Sequence, residues 1–153
     1  MNRKRGIRMT AIIRKPKEKD LMHFTRYTIE FPQASSPKVN EWVRERKFWA
    51  ADRLFDDDDT KKLLMAESGS KMVGYIYGMI NEQKTGEIRE IYVDEFYRGE
   101  GIGKCLSQAL TQWMNEEGTS VVELSPPVGS VKLERFMTSL GFKLVGKVYQ
   151  KYL

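Results

Sequence analysis

With 153 residues, 41% of them hydrophobic and 31% charged, the chain has the size and composition of one globular domain. The sequence has no uninterrupted apolar run of about 18 residues, which excludes a membrane-spanning helix. A single cysteine, Cys105, excludes an internal disulfide, and with His23 as the only histidine there is no Cys/His cluster for a metal.

The net charge is +5, and Arg3, Lys4, Arg5 and Arg8 crowd into the first residues. No apolar segment follows them, so Met1 to Arg8 reads as a basic arm rather than a secretory signal, and residues 9–153 as one domain in a reducing cytoplasm. The arm has no interleaved aromatic residues, which argues against nucleic acid and for a solvated tail. Positive charge also helps to steer a polyanionic ligand.

Met9 to Arg14 suits a first strand, ended by Lys15-Pro16. Lys17 to Phe31 carries Leu21, Phe24, Thr28 and Phe31 at helical spacing and stops at Pro32. Ser36 as N-cap and Pro37 at the first turn open a second helix, which runs through Trp42, Val43, Trp49 and Leu54. The acidic run Asp56 to Asp59 reads as an exposed turn. Lys62 to Glu67 and Met72 to Ile80 then form a hairpin around Ser68-Gly69-Ser70, with Gly74 and Gly78 marking bulges or close backbone approach. Asn81 to Thr85 turns the chain into a third strand, Glu87 to Val93.

The next stretch carries the chemistry. Arg98-Gly99-Glu100-Gly101-Ile102-Gly103 lies between that strand and a helix with Ile102, Leu106, Ala109, Leu110 and Trp113 on one side. A strand, a glycine-rich turn and a helix start aim several backbone N–H groups at one point, which makes a site for an anion such as pyrophosphate. A nucleoside-triphosphate loop would need G-x-x-x-x-G-K-[ST], but Cys105 follows Lys104, so the Mg²⁺-binding hydroxyl is missing. A dinucleotide fingerprint would need G-x-G-x-x-G, whereas Gly99, Gly101 and Gly103 give G-x-G-x-G. The pattern [RQ]-x-x-G-x-[GA] fits Arg98, Gly101 and Gly103 without adjustment. Cys105, one step before Leu106, reads as a packed residue.

After this helix, Ser120 to Leu124 is a parallel strand broken by Ser125-Pro126-Pro127. Val131 to Leu140 is a helix with Leu133, Phe136, Met137 and Leu140 on its apolar side, capped by Gly141. Phe142 to Val145 and Lys147 to Tyr152 complete the chain as two strands.

The segment IYVDEFYRGEGIGKCL resembles the acetyl-CoA-binding motif of the GCN5-related N-acetyltransferases, and Glu134 to Phe142 resembles the family's helix ending in a Gly-Phe pair. The resemblance spans about residues 9–152 and implies an α/β fold, a mostly antiparallel mixed sheet with helices on both faces. It implies acetyl-CoA as co-substrate, without a metal, and acetyl transfer to an amine of a small molecule or protein by direct attack in a ternary complex. A monomer or homodimer is expected. The cofactor residues it implies are Ile91, Tyr92 and Val93 beside the pantetheine, Arg98, Gly99, Glu100, Gly101, Ile102, Gly103 and Lys104 around the pyrophosphate, and Ser130 near a usual asparagine.

Glu87 stands where histone-acetylating relatives carry their general base, and Glu90 is the alternative; three residues apart on a regular strand, the two point to opposite faces. Relatives place a tyrosine after the aromatic residue of the last helix as proton donor to the thiolate. Here Met137 holds that position, so the proton comes from Tyr149 or Tyr152 on the final strand, or from water. The same Met137 keeps open a catalytically degenerate acetyl-CoA-binding module, and the basic arm a nucleic-acid-associated protein.

Overall fold

The computed structural model describes residues 11–30, 39–56, 58–125 and 131–153. The basic arm, the Ser36-Pro37 helix start, Asp57 and Ser130 lie outside the described residues.

Five strands form one sheet in the order β1-β2-β3-β4-β5. β1 (Ile12–Arg14), β2 (Lys61–Ser68), β3 (Lys71–Ile80) and β4 (Gly86–Val93) are antiparallel neighbours, and β5 (Val122–Leu124) lies parallel to β4. A short 3₁₀ turn, Glu18–Asp20, leads into α1 (Leu21–Glu30), followed by α2 (Val39–Leu54); α3 (Ile102–Glu116) comes between β4 and β5, and α4 (Val131–Ser139) follows. The mixed sheet with helices on both faces is as expected. No described helix is long and apolar enough to cross a membrane.

The two faces have different chemistry. On the α3 face, Ile102, Leu106, Leu110 and Met114 recur every fourth residue and pack on Ile76, Ile80 and Ile88. Burying each of these side chains is worth about 2 kcal/mol. On the α1/α2 face the core is aromatic: the Phe24 ring meets Tyr75 edge-on at 4.9 Å, and Trp49 meets Tyr77 at 5.3 Å and 90°. Edge-to-face pairs of this kind add about 1 kcal/mol beyond area burial. β3, covered by helices on both sides, is buried along nearly its whole length.

Glycines let these layers close. A Cβ on Gly78 would meet the Leu110 side chain at 2.7 Å and the Glu87 carbonyl at 2.8 Å, so α3 packs directly against the strand backbone there. The β3–β4 register slips between Tyr77 and Gly78, as the glycine pattern suggests.

Several expectations need correction. The first and fifth strands are shorter than read, Ile12–Arg14 and Val122–Leu124, though residues 9 and 10 of the first lie outside the described residues. Phe142 to Val145 and Lys147 to Tyr152 form no strands; Leu144, Val145, Val148, Tyr149 and Tyr152 are all exposed. Strand propensity needs a partner edge and a face to cover, and β5, paired over only three residues, offers a short template. Cys105 is exposed rather than packed, because one step from Leu106 is a rotation of about 100° off the buried stripe.

Asp56 and Asp58 act in the turn before β2. The Asp56 carboxylate bridges Arg53 at 3.2 Å and Lys61 at 3.6 Å, and Asp58 accepts from the Thr60 N–H and hydroxyl at 2.8 Å. The turn reading of the acidic run stands for these two residues.

Candidate active site

The site begins where two parallel strands part. β4 pairs with β5 only from Gly86 to Ile88, but β4 itself continues to Val93. Among the described residues, 89–93 therefore present an edge with no strand beside it. The Asp94 N–H donates to the Val73 carbonyl at 2.8 Å, which fixes that residue's backbone toward β3. By the alternation of an antiparallel ladder, the backbone groups of Val93 and Ile91 point the other way, into the gap. The Val93 carbonyl is met there by Arg98 Nε at 2.8 Å. An amide-bearing chain entering the gap finds the Ile91 edge as a strand to pair with.

The glycine turn closes one end of the gap. Asp94 caps a 3₁₀ turn, Glu95–Tyr97, by accepting from the Phe96 N–H at 3.0 Å. Burial works against the Asp94 carboxylate, but hydrogen bonds from Tyr27 and Phe96 outweigh it and hold its pKa below the usual value. Gly99 and Gly101 have φ of +80° and +84°, in the left-handed region that favours glycine. The helical ladder of α3 starts with the Cys105 N–H donating to Gly101 O at 3.0 Å, so the N–H groups of Ile102, Gly103 and Lys104 precede it and face out of the helix start. A Cβ on Gly101 would meet nothing within 4 Å, so this glycine serves the turn's conformation and leaves open space beside it. Gly103 serves helix packing instead, since a Cβ there would stand 2.9 Å from the Phe136 ring, and its absence lets α4 dock on α3. Arg98 braces the turn, its guanidinium 5.2 Å from the Tyr92 ring centre. The start of α3 fits a pyrophosphate: backbone N–H groups of Ile102, Gly103 and Lys104 outside the helical ladder, the positive end of α3, and room beside Gly101 for the phosphate oxygens.

The other side of the gap holds the carboxylates, and here the regular-strand expectation fails. Tyr77 pairs with Glu90 and Gly78 with Ile88, so Arg89 is an extra residue, a β-bulge on β4. Ile88 points to the α3 core. Glu87, paired with Met79, and Glu90, paired with Tyr77, both point to the α1/α2 face. Glu87 and Glu90 are therefore on the same face, not opposite ones.

Their surroundings still separate them. Glu90 is buried and bound to Arg46, and its Oε1 also accepts from the Tyr75 hydroxyl at 2.7 Å. Arg46 lies against the rings of Trp42 and Trp49 (5.1 and 4.2 Å) and donates to the Thr28 carbonyl at 3.0 Å. Burial and the Glu90 charge push the Tyr75 hydroxyl well above its ordinary pKa. This is a closed ion pair that ties α1 and α2 to the sheet. Glu87 is half-buried: Asn81 Nδ2 donates to Oε2 at 3.0 Å, and Arg89 Nε lies 3.4 Å from Oε1. Asn81 is itself fixed by the Gln83 and Thr85 N–H groups, both 3.0 Å from its Oδ1.

Two cavities adjoin these carboxylates. One, of about 110 Å³, lies at the fork of β4 and β5, lined by Glu87, Ile88, Arg89, Glu123 and Ser125. A second, of about 450 Å³, lies on the α2 side, with Trp49 and Tyr77 as aromatic wall and Arg53, Lys61 and Arg89 at its edge; Met79 and Glu90 complete it. Arg89 belongs to both.

Tyr149 is not brought to the site: it is 88% exposed in the segment after α4. Met137 is half-buried on α4. Arg46, Tyr75, Asn81 and Arg89 were missed by sequence reasoning. The spacing of Trp42, Arg46 and Trp49, four and three residues apart, is the one signal that could have put a cation on the aromatic side of α2.

A split parallel pair, a glycine turn opening a helix, and a cavity across the split define an acyl-CoA-binding transferase fold. The sequence pattern of the acetyltransferase (GNAT) family matches residues 23–142, and the chain belongs to that family. An uncharacterized N-acetyltransferase of Methanocaldococcus jannaschii is 30% identical over 112 residues, covering 69% of this chain and 47% of the relative. An uncharacterized N-acetyltransferase of Archaeoglobus fulgidus is 27% identical over 133 residues, 83% of this chain and 89% of its own length. The chain thus spans about half of the first relative and nearly all of the second. In structure it is similar to the PaiA N-acetyltransferase from Thermoplasma acidophilum in complex with coenzyme A, with a TM-score of 0.76 at 20% identity over 92% of this chain and 94% of that one.

Proposed function

We propose that the protein transfers the acetyl group of acetyl-CoA to a primary amine by direct attack within a ternary complex. The observation that carries this reading is the fork between β4 and β5, flanked by the 98–104 turn on one side and the larger cavity on the other. In this reading the N–H groups at the start of α3 hold the pyrophosphate, and the edge formed by Ile91 and the Val93 N–H holds the pantetheine amides. The thioester then lies at the fork, beside Glu87 and Arg89.

Glu87 is the proton acceptor. An amine of lysine type at neutral pH must lose a proton before it can attack, which costs about 4 kcal/mol. Glu87, half-open to solvent and oriented by Asn81, takes that proton through water. As the C–N bond forms and the C–S bond breaks, the nitrogen gives its second proton to solvent and the sulfur leaves as thiolate. Met137 has no proton to give, so the sulfur is reprotonated from solvent. Glu90 has no free role, being held by Arg46 and Tyr75. The protein works in the cytoplasm, where Cys105 stays reduced.

Calorimetry with acetyl-CoA, followed by thiol release over a panel of amines, tests the proposal. Binding at 1:1 with turnover on at least one amine is the expected result, and Glu87→Gln should lower kcat by about 10²- to 10⁴-fold at unchanged acetyl-CoA affinity. Binding without turnover on any amine would leave the acetyl-CoA-binding module favoured by Met137. Failure to bind would refute both.

A further inference from the structure

The larger cavity carries information about the acceptor. Its edge holds three cations, Arg53, Lys61 and Arg89, against one carboxylate, Glu90, which the buried Arg46 already neutralises. The cations have donors to spare. Among the described residues Arg53 Nε is buried with no hydrogen-bond partner, although another nitrogen of that guanidinium reaches the Tyr77 hydroxyl and Asp56, both at 3.2 Å. Lys61 Nζ stands 3.6 and 4.0 Å from Asp56 and Asp58, too far for good hydrogen bonds. Among the described residues Arg89 engages through Nε alone, with Glu87 and the Met79 sulfur, each at 3.4 Å.

Register supplies a distance. Lys61 pairs with Met79 and Met79 with Glu87, so the three form one row across β2, β3 and β4 on the same face. Two strand spacings separate Lys61 from Glu87, about 10 Å between backbones. Resting on the acetyl-transfer reading above, we propose that the acceptor is a compact amine that also carries an anionic group, carboxylate or phosphate. Its nitrogen lies at the Glu87 end and its anion is held by Lys61 and Arg53, roughly 5–10 Å away, over Trp49 and Tyr77. A second ammonium in place of the anion would face Lys61 and Arg53 directly.

The test uses the full chain with acetyl-CoA and amines matched in length: an ω-amino acid series from glycine to 6-aminohexanoate, O-phosphoethanolamine, n-hexylamine, and 1,6-diaminohexane. The expected kcat/KM order is amino acid or aminophosphate first, neutral amine about tenfold lower, and diamine last, with an optimum within the amino acid series; a tenfold step matches one charge-assisted hydrogen bond. The better of the carboxylate and phosphate arms identifies the anion. Lys61→Gln and Arg53→Gln should each move the ratio of amino acid to hexylamine toward unity, through KM for the acceptor, with KM for acetyl-CoA held. A diamine used as well as, or better than, the amino acids overturns this inference while acetyl transfer stands. Variants that leave the ratio unchanged overturn it too. No transfer to any amine overturns both together.

Discussion

Replacing Arg46 and Glu90, singly and together, separates a structural ion pair from a catalytic carboxylate. Both residues are 8% exposed. In Glu90→Gln the amide can still accept from Tyr75, but Arg46 is left as a buried cation without its counter-charge, a loss of about 3 kcal/mol. Arg46→Met gives up the bond to the Thr28 carbonyl, about 1 kcal/mol, and the contacts with Trp42 and Trp49, about 0.5–1 kcal/mol each. It also strands Glu90 beneath α2, so its total exceeds that of Glu90→Gln. The double variant removes both charges, and its cost should fall short of the sum of the singles by about 2–3 kcal/mol. Urea unfolding of the three variants measures this coupling, and kcat on a saturating amine is read in parallel. If Glu90→Gln keeps wild-type stability yet loses a hundredfold or more in kcat, the reasoning fails: Glu90 is then the proton acceptor and the pair with Arg46 is not what the residue is for.

Gly101→Ala should weaken acetyl-CoA binding in calorimetry, because an alanine at φ +84° costs about 1–2 kcal/mol and the turn will shift to relieve it; unchanged affinity and stability would clear this turn of its role. Gly103→Ala should instead lower stability by about 1 kcal/mol through the Phe136 ring, with Phe136→Leu in the same chain restoring it. Met137→Tyr should hold or raise kcat, since it offers a hydroxyl in the step that the proposed mechanism leaves to solvent; a large fall in kcat with acetyl-CoA binding intact would show Met137 to be needed as it is. On the alkaline side, burial raises the pKa of Tyr27 and Tyr75, and raises Tyr92, which donates to Glu30, to about 12. Unfolded tyrosine titrates near 10, so the stability these groups add is full below about pH 10 and is lost as pH climbs toward 12. Denaturant midpoints across pH 9 to 12, beside ultraviolet titration of the phenols, read this directly; midpoints flat through that window would contradict it.

How far the sequence could be read depended on the range of the forces involved. The strand, turn and helix from Gly86 to Glu116 were legible because their determinants are local: β-branched residues, glycines at positive φ, and an apolar residue every fourth position on α3. The hairpin was legible for the same reason. The last two strands were not, although Leu144, Val145 and Val148 have strand propensity, because propensity acts only when a neighbouring edge accepts the segment. The ion pair of Arg46 and Glu90 joins residues 44 positions apart and leaves only the aromatic spacing on α2 as a trace. Trp49 came out half-buried on the cavity wall, whereas Phe48, one step round the helix, is exposed.

The facing of Glu87 shows the limit most sharply. Period-two alternation holds only while the ladder is regular, and one inserted residue reverses every side chain beyond it. Arg89 is that residue. Were β4 regular from Gly86 to Val93, the face that carries Tyr92 against Tyr27 and Tyr75 would carry Glu90 and Ile88, and Glu87 would point at α3. The bulge lets Ile88 fill the α3 core and Glu87 line the smaller cavity at the fork, while Glu90 keeps its place under α2. It also falls one residue past the last β4–β5 pair, at the point where the two strands part. The same irregularity thus coincides with the opening of the fork and turns the carboxylate beside it toward the α1/α2 face, the side from which the proposed acceptor would enter. Arg89 itself, exposed by the bulge, becomes the side chain shared by both cavities.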